Sequence, residues 1–162
     1  MSTGAVGGAT TNAGTADAVR VAVVPEVGDV VAQASFAVTR DTLVRYAGAS
    51  GDFNPIHYRD DVAASVGLPG VLAHGMLTMG VAVQPVVEWL GGADAVLEYQ
   101  VRFTKPVPVP PEGSVTLDVT AKAAQVDADA GTARIDLTVK LGPDAVLGRA
   151  QVQVRLPGGS AS

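Results

Sequence analysis

The segment Gly75–Leu90 constrains the fold more than any other part of this sequence, because it is apolar almost all the way round a helix. Gln84 and Glu88 are its main polar exceptions. A helix of this kind is normally buried, so the rest of the chain is expected to wrap around it. Pro85 removes one hydrogen bond inside the helix and is expected to bend it. The glycines at 91 and 92 are expected to end it.

After this segment the apolar residues change from a helical period to strict alternation, which is typical of half-buried strands. The alternating stretches begin at Leu97, Val115, Ile135 and Ala150. Turn-forming Gly, Pro and Asp residues separate them, so successive strands are expected to reverse direction and pair as an antiparallel sheet. One buried helix with an antiparallel sheet predicts an α+β domain.

Two shorter helical segments are predicted before the central helix. Thr39 can cap the first, which is expected to run to about Gly48. The second is expected from about residue 60 to residue 66, ending at Gly67. Between them, residues 50–57 concentrate Gly, Asp, Asn and Pro, which favours a tightly turned loop over any regular element.

Length and composition indicate one globular domain, since the chain has 162 residues and 48% of them are hydrophobic. We place this domain at residues 21–158, with residues 21–31 as an extended lead-in. Residues 1–20 are rich in small residues and lack the basic start and apolar run of a secretory signal, which predicts a flexible tail. No stretch approaches the roughly 18 consecutive apolar residues of a membrane span.

Charge and cysteine content exclude further classes. The net charge is -5 and only 17% of residues are charged, so no basic surface for nucleic acid or anionic lipid is expected. The absence of cysteine excludes disulfides and thiolate metal sites, and is compatible with a reducing compartment. The chain is therefore expected to be soluble and cytoplasmic, without a nucleic-acid or membrane partner.

The candidate chemistry centres on the chain's two histidines, His57 and His74. Asp52 precedes His57 by five residues across the turn-rich segment, so the carboxylate and the imidazole can converge and move protons near neutral pH. Asn54 can hold a water molecule. If the central helix begins at Gly75, the N–H of that residue can receive a developing oxyanion.

A purely structural interpretation of each candidate is also open. Either histidine can be a hydrogen-bonded core residue, Asp52 can cap the loop, and Asn54 is an ordinary turn residue before proline. Gly75 can serve only to allow close packing of the helix. A zinc site is disfavoured by two histidines without cysteines or a close carboxylate cluster. Phosphate-loop, dinucleotide-binding and Gly-x-Ser-x-Gly motifs are absent.

Two stretches together resemble the hydratase-2 motif of MaoC-like proteins. Residues 46–57 read Tyr-Ala-Gly-Ala-Ser-Gly-Asp-Phe-Asn-Pro-Ile-His, and residues 73–77 read Ala-His-Gly-Met-Leu. The similarity continues through residues 98–104 to the final strand, and so covers nearly everything after the first twenty or so residues. Within the family the chain looks most like the catalytic B subunits of actinobacterial (3R)-hydroxyacyl-ACP dehydratases, and next like single-domain (R)-specific enoyl-CoA hydratases.

The resemblance implies a single hot-dog domain, in which an antiparallel sheet wraps a long central helix. It implies a hydro-lyase that needs no cofactor and no metal, with Asp52 and His57 as the catalytic pair and the Gly75 N–H as oxyanion donor. Asn54 and His74 would position water or substrate. The expected reaction is the reversible dehydration of (3R)-3-hydroxyacyl thioesters to trans-2-enoyl thioesters in fatty-acid metabolism.

The resemblance leaves the partner and the carrier open. A dehydratase B subunit implies a heterodimer with a second hot-dog subunit, whereas the hydratase alternative implies a homodimer. The substrate is acyl-ACP or acyl-CoA. Two further alternatives are a hot-dog thioesterase, which the Asp-x-Asn-Pro-x-His loop disfavours, and a non-catalytic subunit, which the intact Asp52 and His57 disfavour.

Overall fold

The computed structural model describes residues 24–157. The predicted tail over residues 1–20 lies outside the described residues. Within the described range the chain forms six strands and three α-helices, with 3₁₀ turns at Pro55–His57 and Ala93–Ala95. In chain order the elements are β1 Val30–Val38, α1 Arg40–Ser50, α2 Asp60–Ser65, α3 Gly75–Leu90, β2 Val96–Phe103, β3 Val115–Asp127, β4 Thr132–Leu141, β5 Asp144–Ala145 and β6 Leu147–Arg155.

The strands form one antiparallel sheet in the order β1-β3-β4-β6-β2, and the short β5 pairs with β4. The alternation in the sequence sets which side chains face inward. Leu117 and Val119 of β3 and Ile135 and Val139 of β4 are all buried. The sheet and the long helix confirm the predicted α+β class and the hot-dog arrangement.

Helix α3 packs against the sheet, with its most frequent contacts to β1 and β3. Its buried residues are Thr78, Ala82, Pro85 and Val86, whose spacing places them on one face. Met76 is 58% exposed, so one turn of the opposite face is open. The helix is thus covered along one face, rather than all round as its apolar pattern predicted. In the described part of the chain, no helix has the length and apolar character needed to span a membrane.

Helix α1 begins and ends at the kinds of residue that the sequence indicated. The Thr39 hydroxyl accepts the N–H of Thr42, and the Thr42 hydroxyl accepts the N–H of Thr39, which confirms the predicted cap. The helix runs two residues beyond the predicted Gly48 and ends at Gly51, where φ is 76°. This left-handed conformation favours glycine and turns the chain sharply into the next loop.

Arg40 fixes the two short helices relative to the segment before β3. Its guanidinium donates to both carboxylate oxygens of Asp60, at 2.7 and 3.1 Å, and its Nε donates to the Val109 carbonyl at 2.7 Å. The guanidinium lowers the pKa of the Asp60 carboxyl below its usual value. The loop between α1 and α2 is therefore anchored near its C-terminal end.

Two elements differ from the sequence-based expectation. Residues up to 31 were expected to form an extended lead-in, but Val30–Val38 is a full strand that pairs with β3. Its many alanines and serine give weak contrast between the two faces, so its alternation is hard to detect. The segment 50–57, expected to lack regular structure, contains a 3₁₀ turn at Pro55–His57. Proline at the first position fixes a φ that suits such a turn.

Candidate active site

The loop after α1 is built from side chains that accept hydrogen bonds from its own backbone. The Asp52 carboxylate accepts the N–H of Asn54 at 3.2 Å, and the Asn54 side-chain oxygen accepts the N–H of Ile56 at 3.3 Å. These contacts are Asx turns, and they lead the chain into the 3₁₀ turn that carries His57. Asp52 and Asn54 are exposed, so both side chains are accessible from solvent.

His57 is oriented by a main-chain carbonyl. Its Nδ1 lies 2.7 Å from the Leu72 carbonyl oxygen, which can only accept, so Nδ1 carries the proton. The neutral ring then has its lone pair on Nε2, the form required of a proton acceptor. His57 is 8% exposed, and it lines a cavity of about 360 Å³.

The carboxylate and both imidazoles form one cluster. One ligand-type atom each of Asp52, His57 and His74 lies within 4.8 Å of the others. The His57 and His74 rings are stacked, with centroids 3.8 Å apart and planes at 24°. Nitrogen lone pairs lie in the ring planes, so two stacked rings hold them in nearly parallel planes, which is poorly suited to binding one ion between them. The arrangement suits proton transfer better than metal binding.

Gly75 is the first residue of α3, directly after His74. No acceptor in residues 24–157 takes the Gly75 N–H, which lies at the positive end of the helix dipole. Gly75 also lines the cavity with His57. A proton acceptor and a free N–H donor therefore face the same small volume.

The cavity wall combines segments that are distant in the chain. Beside His57 and Gly75, it is formed by the start of α3 and by two segments next to the β2–β6 pair. Its lining residues are His57, Leu72, Ala73, Gly75, Thr78, Phe103, Thr104, Lys105, Pro106, Val107, Val146 and Leu147. Most of these side chains are apolar, so the cavity fits an organic chain that ends in a polar reacting group.

His74 is set apart from the cavity by burial. It is 1% exposed, and its Nε2 lies 3.1 Å from the Asp52 carbonyl oxygen, to which it donates. Burial lowers the pKa of His74, and the hydrogen bond to the Asp52 carbonyl opposes that shift. The Tyr46 ring packs against it at 4.8 Å. Its Nδ1 is buried without a hydrogen-bond partner among the described residues.

The structure brings together Asp52, His57, His74 and Gly75, and it places Asn54 in the same loop. Sequence reasoning assigned no role to the Leu72 carbonyl, which selects the tautomer of His57. A main-chain carbonyl carries no sequence signal. The ring of Phe103 was also missed as part of the site wall, although the motif comparison covered that strand.

Comparison with known proteins places the chain in a family. The family model described as MaoC like domain matches residues 22–140. The 3-hydroxyacyl-thioester dehydratase X of Mycobacterium tuberculosis is 40% identical over 73 residues, which are 45% of this chain and 25% of that protein. This chain therefore belongs to the MaoC-like domain family, which includes hydratases and dehydratases.

Solved structures agree with this assignment. A MaoC-like dehydratase superposes with a TM-score of 0.79 and 35% identity over 82% of this chain and 41% of that one. The (R)-hydratase from A. caviae involved in PHA biosynthesis superposes with a TM-score of 0.72 over 82% of this chain and 98% of that one. At 23% identity, the second likeness concerns the fold. The chain spans less than half the length of the first structure and a quarter of the curated dehydratase.

Proposed function

We propose that this chain catalyses the reversible dehydration of (3R)-3-hydroxyacyl thioesters to trans-2-enoyl thioesters. One observation carries the proposal: His57 and Gly75 line the same cavity, and the Asp52 carboxylate lies within 4.8 Å of the imidazole. The contact of His57 Nδ1 with the Leu72 carbonyl leaves Nε2 as the proton acceptor, and the Gly75 N–H has no acceptor in residues 24–157. A proton acceptor and an oxyanion donor at one cavity are what removal of a proton next to a thioester carbonyl requires.

In the dehydration direction, His57 Nε2 takes the proton from C2. The negative charge moves onto the thioester oxygen, which the Gly75 N–H and the helix dipole stabilise. The C3–O bond then breaks as the C2–C3 double bond forms. The proton held by His57 and the hydroxide that leaves C3 together make up the released water.

Asp52 acts on the C3 hydroxyl. Its carboxylate lies in the cluster with His57 and is exposed, so it can hold the hydroxyl or the water molecule between itself and the imidazole. Asn54 fixes this loop because its N–H donates to the Asp52 carboxylate and its side-chain oxygen accepts the N–H of Ile56. It can contact the same water. In hydration the same groups act in reverse order.

We assign the chain more narrowly to the catalytic subunit of a dehydratase of the fatty-acid-synthesis type, acting on acyl-ACP or acyl-CoA. The similarity to the M. tuberculosis dehydratase over 73 residues supports this choice. Strand β2 lies at one end of the sheet, with Leu97 and Phe103 about half exposed. Met76 on α3 is also exposed. An exposed edge with apolar side chains favours pairing with a second subunit.

The alternative is a homodimeric (R)-specific enoyl-CoA hydratase, which needs no second kind of chain. The likeness to the A. caviae hydratase, of which 98% is matched, favours this alternative at the level of fold. The chemistry of the site is the same in both cases. The two alternatives differ in the subunit that covers β2 and the open face of α3, which is a different chain in the dehydratase and a second copy of this chain in the hydratase.

The test is hydration of crotonyl-CoA and of a longer trans-2-enoyl-CoA, followed by loss of the absorbance of the conjugated enoyl thioester. The chain is assayed alone and together with a candidate hot-dog partner. Activity of the chain alone, eluting as a dimer, favours the hydratase. Activity only with the partner favours the dehydratase subunit. Absence of turnover in either direction with every acyl thioester tried contradicts the proposed function.

A further inference from the structure

We infer that His74 is a positioning residue that holds His57, Asp52 and Gly75 in one catalytic arrangement. The inference rests on the proposed function and assigns that reaction a further residue. His74 contacts each of the three groups by a different means. Its ring stacks on His57 at 3.8 Å, its Nε2–H donates to the Asp52 carbonyl at 3.1 Å, and its carbonyl carbon is bonded to the Gly75 nitrogen.

His74 acts through these neighbours because it does not reach the cavity. It is 1% exposed and contributes nothing to the cavity lining, although the residues on both sides of it do. A substrate in the cavity therefore contacts Gly75 and His57 but not His74. Loss of His74 should impair turnover rather than binding of the thioester.

The stack with His57 has a chemical consequence as well as a geometric one. Nε2 of His74 carries the proton that is donated to Asp52, so Nδ1 is the unprotonated nitrogen of a neutral ring. Protonation of Nδ1 would place a charged N–H in a buried position that offers no acceptor among the described residues. A neutral ring can stabilise the cation that His57 becomes on taking the C2 proton, whereas a charged ring would repel it.

The other side of His74 is held by Tyr46, whose ring centroid lies 4.8 Å away. Tyr46 belongs to α1, so the ring of His74 is enclosed between that helix and the 3₁₀ turn of His57. A ring confined in this way fixes the start of α3 relative to the loop that carries Asp52. The three catalytic groups come from three separate elements, and His74 contacts all of them.

Two substitutions separate the two contacts. His74→Phe keeps a flat ring against His57 but removes the donor to Asp52, and His74→Gln keeps a donor but removes the ring. We expect each to lower kcat for enoyl thioester hydration about 10-fold, with KM within about 2-fold of wild type. Gln84→Ala, on an exposed position of the same helix, is the matched control and should leave both constants unchanged. Circular dichroism and Tm establish that each variant is folded.

A double-mutant cycle identifies the route of the effect. In an Asp52→Asn background, His74→Phe should lower the residual rate by less than about 2-fold. The hydrogen bond from His74 to the Asp52 carbonyl acts by positioning the Asp52 carboxylate, and that carboxylate is already absent in this background. His74→Gln should still lower the rate about 10-fold, because the stacking of the His74 ring acts on His57, which is unchanged in this background. Equal losses from His74→Phe in both backgrounds, or folded variants with wild-type kcat, would overturn the inference.

Nitrogen-15 NMR gives a readout that does not depend on activity, and two histidines make the spectrum simple to assign. The inference requires a neutral His74 protonated on Nε2 and a neutral His57 protonated on Nδ1. A His74 protonated on Nδ1 contradicts it. If wild-type protein shows the required protonation states but turns over no thioester, the proposed function is contradicted. The catalytic role inferred for His74 is then contradicted with it.

Discussion

A side-chain carbon on Gly75 would lie 3.3 Å from Cε1 and Cζ of the Phe103 ring. That separation is shorter than ordinary van der Waals contact between carbon atoms, so the ring leaves too little room for a side chain at the start of α3. Phe103 lines the cavity and is 49% exposed. The absence of a side chain at Gly75 therefore leaves the N–H open to the cavity while the ring forms the wall beside it.

The first prediction follows from this contact. Gly75→Ala should lower kcat/KM for enoyl thioester hydration about 10-fold, because the added carbon pushes Phe103 or the Gly75 N–H out of place by a few tenths of an ångström. Steady-state kinetics on crotonyl-CoA measures the effect. Full activity in Gly75→Ala would mean that the N–H of this residue does not contact the reacting thioester.

Gly80→Ala is the matched control on the same helix. Nothing lies within 4 Å of a carbon added there, and the position is exposed. Alanine in place of glycine inside a helix should raise the free energy of unfolding by about 0.5–1 kcal/mol. Activity should be unchanged, so the pair separates an effect on the site from an effect on the helix.

A second close approach lies next to two residues that line the cavity, Thr104 and Leu147. A carbon added at Gly148 would lie 2.5 Å from Cγ2 of Thr104, whose hydroxyl donates to the Ala145 carbonyl. Gly148→Ala should lower the free energy of unfolding by about 1 kcal/mol, the low end for overpacking, because Gly148 and Thr104 are both exposed and the methyl group has room to move. Thr104→Ser removes that one methyl group and keeps the hydroxyl, so the double variant should recover most of the loss in urea unfolding. No recovery in the double variant would refute the contact as the cause.

Tyr99 predicts a dependence of stability on alkaline pH. Burial raises the pKa of Tyr99 above its usual value, and its hydroxyl donates to the Met79 carbonyl of α3 at 3.0 Å. Above about pH 10 the unfolded chain loses this proton while the folded protein keeps it, so the free energy of unfolding falls as pH rises. The fall should be smaller in Tyr99→Phe, which also loses about 1 kcal/mol at neutral pH with its hydrogen bond.

Urea unfolding at pH 8 and pH 11 measures the effect for wild type and Tyr99→Phe. Tyr58→Phe is the control, because Tyr58 is 44% exposed. It should keep the alkaline fall of wild type. The assignment to Tyr99 fails if the two variants lose stability equally between these pH values.

The long helix and the four alternating strands could be predicted because their patterns are strong and local. The apolar run Gly75–Leu90 matches α3 at both ends, and the alternation in β3 and β4 matches the buried positions. Strand β1 was missed because Ala, Ser and Gln give it little contrast. Its pairing with β3 is a contact between distant parts of the chain, which a local pattern does not record.

The site could be predicted in part. The motif brought Asp52, His57 and Gly75 into consideration, and the structure gathers them with His74. The stacking of the two rings could not be predicted, since it depends on how α3 meets the 3₁₀ turn in space. The tautomer of His57 depends on the Leu72 carbonyl, a main-chain group that any residue would supply at that position.

The most direct test of the account compares wild type with Asp52→Asn and His57→Gln in the hydration of trans-2-enoyl-CoA. Both substitutions keep side-chain volume nearly unchanged, and circular dichroism verifies the fold. Each substitution should lower kcat by about 10²–10⁴-fold, as expected for loss of a group that moves or holds the transferred proton. A folded variant of either kind that keeps kcat within about 3-fold of wild type would contradict the catalytic role of that residue.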